Sequence, residues 1–129
     1  MTKQTNSRLR TLIVDDDSMI RSYLKLMLRE ANINLIEEAE DAAGAVKLFR
    51  AKAPGLIFLD INLPDQDGIE LLKQIRTEIP DSSVIMVSSE STMDRVKTAL
   101  GLGARGFIAK PFNTATVLKN IMHIVAEAQ

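Results

Sequence analysis

Leu56-Ile57-Phe58-Leu59-Asp60 sets four apolar residues in a row and stops them with a carboxylate. A strand with one wet face alternates apolar and polar residues, whereas a strand buried on both faces reads as an unbroken apolar run. The same pattern occurs at Leu12-Ile13-Val14, which runs into Asp15, and again at Val84 to Val87 and at Phe107-Ile108-Ala109. A weaker strand is predicted at about residues 34 to 38.

Longer amphipathic stretches separate these runs. Ser18 to Ala31 carries Ile20, Leu24, Met27 and Leu28 at helical spacing, with Asp17 or Ser18 placed to cap its N-terminus. Asp41 to Ala51, Gly68 to Ile79 ahead of Pro80, Thr92 to Leu102 ahead of Gly103, and Thr114 to Ala128 read as further helices. Five strand–helix units in this order imply an α/β domain: a doubly wound, five-stranded parallel sheet with five helices.

The 129 residues suffice for one domain and one core. With 46% hydrophobic and 26% charged residues the composition is that of a globular chain. The absence of cysteine excludes a disulfide framework and a thiolate zinc site. Residues 1–9 read as a polar N-terminal extension and 10–129 as the domain. No apolar run approaches the roughly 18 residues a membrane span needs, so a cytoplasmic address without membrane contact is expected. Net charge is −1, with both signs interspersed and no basic stripe. Direct nucleic-acid binding is not expected.

Chemistry gathers at the strand ends. The first strand ends in Asp15-Asp16-Asp17, the third in Asp60, the fourth in Ser88-Ser89 and the fifth in Lys110. Ligands of open α/β sheets bind outside the carboxyl ends of the strands, where strand order reverses. If that reversal lies between the first and third strands, Asp15, Asp16 and Asp60 share one crevice. Two charges ~4 Å apart repel by about 4 kcal/mol at an effective dielectric near 20. Such a cluster takes up protons or binds a cation. Oxygen donors without histidine or cysteine suit Mg²⁺, and Lys110 can neutralise the remainder. A carboxylate nucleophile flanked by cationic groups is fitted to phosphoryl transfer, with Ser88 able to donate to a phosphoryl oxygen.

Asp15-Asp16, Asp60-Ile61-Asn62-Leu63-Pro64 with Asp67-Gly68, Val87-Ser88, and Lys110-Pro111-Phe112 together resemble the receiver domains of two-component response regulators, the chemotaxis receivers in particular. The resemblance spans about residues 10 to 128. It implies the flavodoxin-like strand order 2-1-3-4-5, Asp60 as phosphoacceptor, and a Mg²⁺ site of Asp15, Asp16, Asp60 and the backbone carbonyl of Asn62. It further implies Lys110 as the family's lysine with a cis bond to Pro111, and Ser88 and Phe107 as the switch pair. Asn62 and Glu90, two residues beyond the phosphoacceptor and the switch hydroxyl, match positions that tune autodephosphorylation. The implied donor is a sensor histidine kinase, a histidine phosphotransfer protein or a small acyl phosphate. The implied output is a switch, not a turnover enzyme on an external substrate, that changes protein partners through the fourth helix, fifth strand and fifth helix, either as a stand-alone receiver or as part of a longer regulator.

Local readings compete at several positions. Asp17 reads better as a helix cap than as a ligand, and Phe107 by itself reads as core, with only the resemblance setting a switch role beside that reading. His123 falls on the solvent side of the last helix, and the six methionines read as core filler. Asp15-x-Asp17 also admits a small phosphatase of the haloacid-dehalogenase type. Against it stand the short chain, the missing cap domain, and Met19 where that family has Thr or Val. A flavin carrier of similar fold would need a Ser/Thr/Gly phosphate loop and more than 4% aromatics. A receiver used only as a scaffold would not need the complete motif set.

Overall fold

The computed structural model describes residues 9–127. The elements alternate without interruption: β1 (Thr11–Val14), α1 (Ser18–Glu30), β2 (Ile36–Ala39), α2 (Ala42–Lys52), β3 (Leu56–Leu59), α3 (Gly68–Glu78), β4 (Ser83–Ser88), α4 (Met93–Gly101), β5 (Gly106–Ala109) and α5 (Thr114–Glu127). All pairings are parallel, in the order β2-β1-β3-β4-β5. The expected fold class and strand order are therefore what the molecule adopts. Of the polar extension expected at residues 1–9, all but Leu9 lies outside the described residues; Leu9 packs against the core.

The unbroken apolar runs are explained by two cores. Leu12, Val14, Ile57, Leu59, Val84 and Met86 point to one face of the sheet, where Phe49 of α2, Leu72 and Ile75 of α3 and Ala99 of α4 cover them. Ile13, Leu56, Phe58, Ile85, Val87 and Ile108 point to the other, under Leu24 and Leu28 of α1 and Val117, Ile121 and Ile124 of α5. Neighbouring residues along a strand alternate between the two cores, so both faces are apolar, and the buried polar side chains Thr11, Ser83 and Ser88 stand at strand ends.

β2 begins at Ile36, two residues later than the expected strand. As an edge strand it is only half buried and carries Glu37 and Glu38, so its composition signals a strand weakly. Its start is set by register, with Thr11 N–H donating to Leu35 O at 2.8 Å. The methionines correct another expectation. Met86 is buried in the core and Met27 is half-buried, but Met19, Met93 and Met122 are 60%, 69% and 66% exposed on helix surfaces; Met1 lies outside the described residues. His123 is exposed, as its helical phase requires.

Each helix starts close behind a strand end, and side chains fix where. Asp17 accepts from Met19 N–H, Asp41 from Gly44 N–H, Asp67 from Ile69 N–H and Thr92 from Arg95 N–H. Asn113 does the same for α5 through Thr116 N–H at 2.9 Å. Each cap satisfies one free amide of its helix's first turn, and together they hold the loops at the carboxyl edge of the sheet.

Candidate functional site

β1 and β3 are adjacent and in register, Val14 opposite Leu59, so the residues that follow them, Asp15 and Asp60, emerge side by side. Both are almost fully buried, at 2% and 5% exposure. Asp16, on the outer side, is exposed. Carboxylate oxygens of Asp15, Asp16 and Asp60 lie within 4.8 Å of one another. Lys110, carried in at the end of β5, places Nζ 2.7 Å from Asp15 Oδ2 and 3.1 Å from Asp60 Oδ2. The remaining oxygens are held by backbone: Asp17 N–H donates to Asp15 Oδ1 at 2.9 Å, and Asn62 N–H to Asp60 Oδ1 at 3.2 Å.

The charges do not balance. Three carboxylates against one ammonium leave two negative charges in a largely buried site. Burial raises the pKa of Asp15, and the hydrogen bond from Lys110 only partly offsets it, while the charge of Asp60 adds to the rise. Burial works against the Lys110 cation, but the hydrogen bonds and charges of Asp15 and Asp60 outweigh it and raise the lysine's pKa. A set of hard oxygen donors carrying excess negative charge fits a divalent cation such as Mg²⁺.

The remaining predicted residues lie at the end of β4, on β5 and in the β3–α3 loop. Ser88 ends β4, fully buried; its Oγ accepts from Glu90 N–H at 3.1 Å, and its backbone carbonyl accepts from Lys110 N–H at 3.0 Å. The Lys110–Pro111 peptide is cis. Phe107 is half-buried and opposite Met86 in the β4–β5 register, packed against the first core. Asn62 is exposed and bridges to Asp67 across the β3–α3 loop. Gly68 closes that loop, donating its N–H to Ile61 O at 2.6 Å. A Cβ on Gly68 would stand 2.1 Å from Asp60 O and 2.7 Å from Ile61 Cα, so only glycine permits this approach. Asp17 is drawn into the cap of α1 and is not among the clustered carboxylates.

Three side chains at the site went unread in the sequence. Arg21 Nη1 donates to the backbone carbonyl of Asp15 at 2.6 Å. Arg95 of α4 lies 3.3 Å from Glu90 and 3.6 Å from Asp67, joining the β4–α4 and β3–α3 loops. Asp65 accepts from Ala42 and Ala43 N–H at the start of α2. The contacts of Asp65 with α2 and of Arg95 with Asp67 join segments far apart in the chain, so no local spacing announces them. A cleft of about 250 Å³ lined by Arg10, Asn34, Leu35 and Lys52 lies at the opposite edge, by the start of β1 and β2, away from every group just described.

Residues 11–122 match the family model of the response regulator receiver domain. The chain is 37% identical over 111 residues to the chemotaxis protein CheY of Listeria monocytogenes, covering 86% of this chain and 93% of that one. It is likewise 37% identical over 112 residues to CheY of Bacillus subtilis, covering 87% and 93%. Among solved structures it is similar to the CheX-CheY-BeF3-Mg²⁺ complex from Borrelia burgdorferi, at 32% identity, TM-score 0.86, and 90% and 88% coverage. A CheY-like receiver from Methanospirillum hungatei is similar at 31% identity, TM-score 0.84, and 92% and 94% coverage. With its carboxylate cluster and lysine at the carboxyl edge of a 2-1-3-4-5 sheet, this chain belongs to the response-regulator receiver domains of two-component signalling.

Proposed function

We propose that this receiver is a switch set by phosphorylation of Asp60, and that Asp15, Asp16, Asp60 and the Asn62 carbonyl hold a Mg²⁺ ion. The observation that carries the reading is the meeting of Asp15, Asp16 and Asp60 around Lys110 Nζ. An Asp60 oxygen attacks the phosphorus of a phosphohistidine on a kinase or phosphotransfer protein. The P–N bond breaks, the imidazole leaves and takes up a proton, and the phosphoryl group stays on Asp60 as an acyl phosphate. Acetyl phosphate serves as a small-molecule donor in the same way, releasing acetate. The bound cation supplies neutralisation of the charge on the phosphoryl oxygens. Hydrolysis of the aspartyl bond by water returns the carboxylate and inorganic phosphate, with Asn62 and Glu90 placed to tune its rate.

Lys110 gains a phosphoryl oxygen in exchange for its bond to Asp60 Oδ2. Ser88 Oγ accepts from Glu90 N–H, and that bond is compatible with the hydroxyl donating its own proton to the phosphoryl group. Inward movement of Ser88 draws on β4, and Phe107, opposite Met86, has room to follow because it is only half-buried. The face of α4, β5 and α5 then changes its partners. Exposed Met93 and Leu100 on α4 give that face apolar contact area. The Borrelia CheY, bound to CheX in the presence of BeF3 and Mg²⁺, supports both the cation and the protein-partner reading.

Intact mass after acetyl phosphate and Mg²⁺ tests the proposal. Wild type gains one phosphoryl group, mapped to Asp60, and Asp60→Asn does not gain it there. Label mapped to Asp15 in the wild type would overturn the reading in favour of a phosphatase-type nucleophile.

A further inference from the structure

Five residues past Asp60, the chain makes a contact that no local rule requires. Both carboxylate oxygens of Asp65 reach out of their own loop to α2: Oδ1 accepts from Ala42 N–H at 2.9 Å and Oδ2 from Ala43 N–H at 3.0 Å. The helix's own cap, Asp41, accepts from Gly44 N–H at 2.7 Å. The first three amides of α2 are thus divided between two carboxylates from different loops. α2 has no acidic residue within its first turn, so its positive end draws negative charge from its cap Asp41 and, from a separate loop, from Asp65. The two backbone hydrogen bonds hold the Asp65 carboxyl below the ordinary carboxylate range.

The loop anchored in this way is the one that carries Asn62. Its base is already closed, by the Asn62–Asp67 bridge and by Gly68 N–H on Ile61 O. Asp65 lies between the bridged residues, and fastening it to α2 restrains the part of the loop that the base leaves free. Asn62 is in turn joined to the acidic cluster through its N–H on Asp60 Oδ1. A continuous chain of contacts therefore runs from Asp60 through the β3–α3 loop to the first turn of α2.

We infer that Asp65 is a positioning residue that couples the cation site to the N-terminus of α2. It holds the loop so that Asn62 faces the acidic cluster in one arrangement, and a cation bound there tightens the cap on α2 in return. The second half follows from the first, because coupling between two binding equilibria is reciprocal. The inference rests on the Mg²⁺ site proposed above.

Amide hydrogen exchange of the full chain, followed by NMR with and without MgCl₂, tests it in wild type, Asp65→Asn and Asp65→Ala. Asp65 is exposed, so the variants keep the fold, which circular dichroism checks. In wild type, Mg²⁺ slows exchange at Ala42 and Ala43. In Asp65→Ala these amides exchange about tenfold faster or more and no longer respond to Mg²⁺. Calorimetry with Mg²⁺ alone shows affinity weakened by about threefold or more in Asp65→Ala. Asp65→Asn, which keeps one carbonyl acceptor, falls between. Loss of a charge alone would weaken Mg²⁺ equally in both variants and would fade at high salt; positioning predicts unequal effects that persist. Wild-type amides indifferent to a bound Mg²⁺, or equal, salt-sensitive losses in the two variants, would overturn the coupling and leave the cation site standing. No Mg²⁺ binding by the wild type would overturn both, while the faster exchange in Asp65→Ala would still report the cap.

Discussion

Lys110 Nζ stands 2.7 Å from Asp15 Oδ2, joining two residues 95 positions apart in the chain. The pair is buried on the Asp15 side, and Asp60 shares the same ammonium. Lys110→Met leaves two buried carboxylates facing each other without a cation. Removing one partner of a buried pair costs about 3–5 kcal/mol, and the loss here reaches that scale in EDTA. Millimolar Mg²⁺ recovers part of it, because a divalent ion replaces the missing charge. Asp15→Asn has the opposite sign. It removes one of the excess negative charges while Lys110 keeps Asp60, so thermal stability in EDTA rises, by about 1 kcal/mol on the scale of one poorly compensated buried group. The same variant loses stabilisation by Mg²⁺. Thermal melts of the three proteins with and without Mg²⁺ check both directions.

Gly68→Ala tests how tightly the loop after Asp60 is built. The added methyl meets backbone on two sides, Asp60 O and Ile61 Cα, and neither can rotate away as a side chain would. Relief requires moving the Asp60 backbone or breaking the Gly68 N–H bond to Ile61 O. Overpacking of this kind costs about 1–3 kcal/mol. Because the displaced residue is Asp60 itself, phosphorylation by acetyl phosphate falls further than the lost stability explains. Urea melts and phosphorylation rates on the same samples separate the two effects; unchanged rates would show that the loop adapts without moving Asp60.

Most of what places Asp60 in the site was legible before the structure. Strands sandwiched between helices have no polar face, so Leu12-Ile13-Val14 and Leu56-Ile57-Phe58-Leu59 stand out in the sequence, and the carboxylates that stop them mark the functional edge. The start of β2 differs by two residues from the expected one because an edge strand needs no unbroken apolar run and its start depends on Thr11 rather than on its own residues. Hydrophobicity alone places Met19, Met93 and Met122 inside, whereas helical phase points them out. The contacts of Asp65 and Arg95 had no signal at all. Each unites loops that come together only when the sheet has formed, and an aspartate in a Pro-Asp-Gln-Asp-Gly loop looks like ordinary turn chemistry.

Glu38 carries the acid sensitivity of the β2 edge. Lys25 Nζ lies 2.7 Å and Arg21 Nε 2.9 Å from its carboxylate. The hydrogen bond from Lys25 is the main cause holding its pKa down, burial opposes it, and Arg21 adds to the lowering. A depressed folded-state value means that the pairs stabilise the fold fully above the unfolded value near 4.5 and lose that contribution as pH falls through the lower folded value. The side chains are partly open to solvent, so screening keeps the effect within about 1 kcal/mol. Glu38→Gln is therefore less stable than wild type at neutral pH, and the gap closes on acidification below 4.5. Melting temperatures of both proteins across that range check it, and a gap independent of pH would assign the loss to packing instead.

Ser88 offers the sharpest separation of accepting phosphate from responding to it. Its hydroxyl is fully buried and accepts from Glu90 N–H at 3.1 Å, while Asp60, the proposed phosphoacceptor, and Lys110, which donates to it, reach the site from other strands. Ser88→Ala removes the acceptor and leaves that amide without its partner, at a cost of about 1–2 kcal/mol. The variant still takes a phosphoryl group on Asp60. What it loses is the pull on β4, so the NMR shifts that phosphorylation induces at Phe107 and along α4 shrink to a minor fraction of those in the wild type. Ser88→Thr, which keeps the hydroxyl, restores them. Full-sized shifts at Phe107 in Ser88→Ala would show that the signal leaves Asp60 by another route, with the β3–α3 loop as the first place to look.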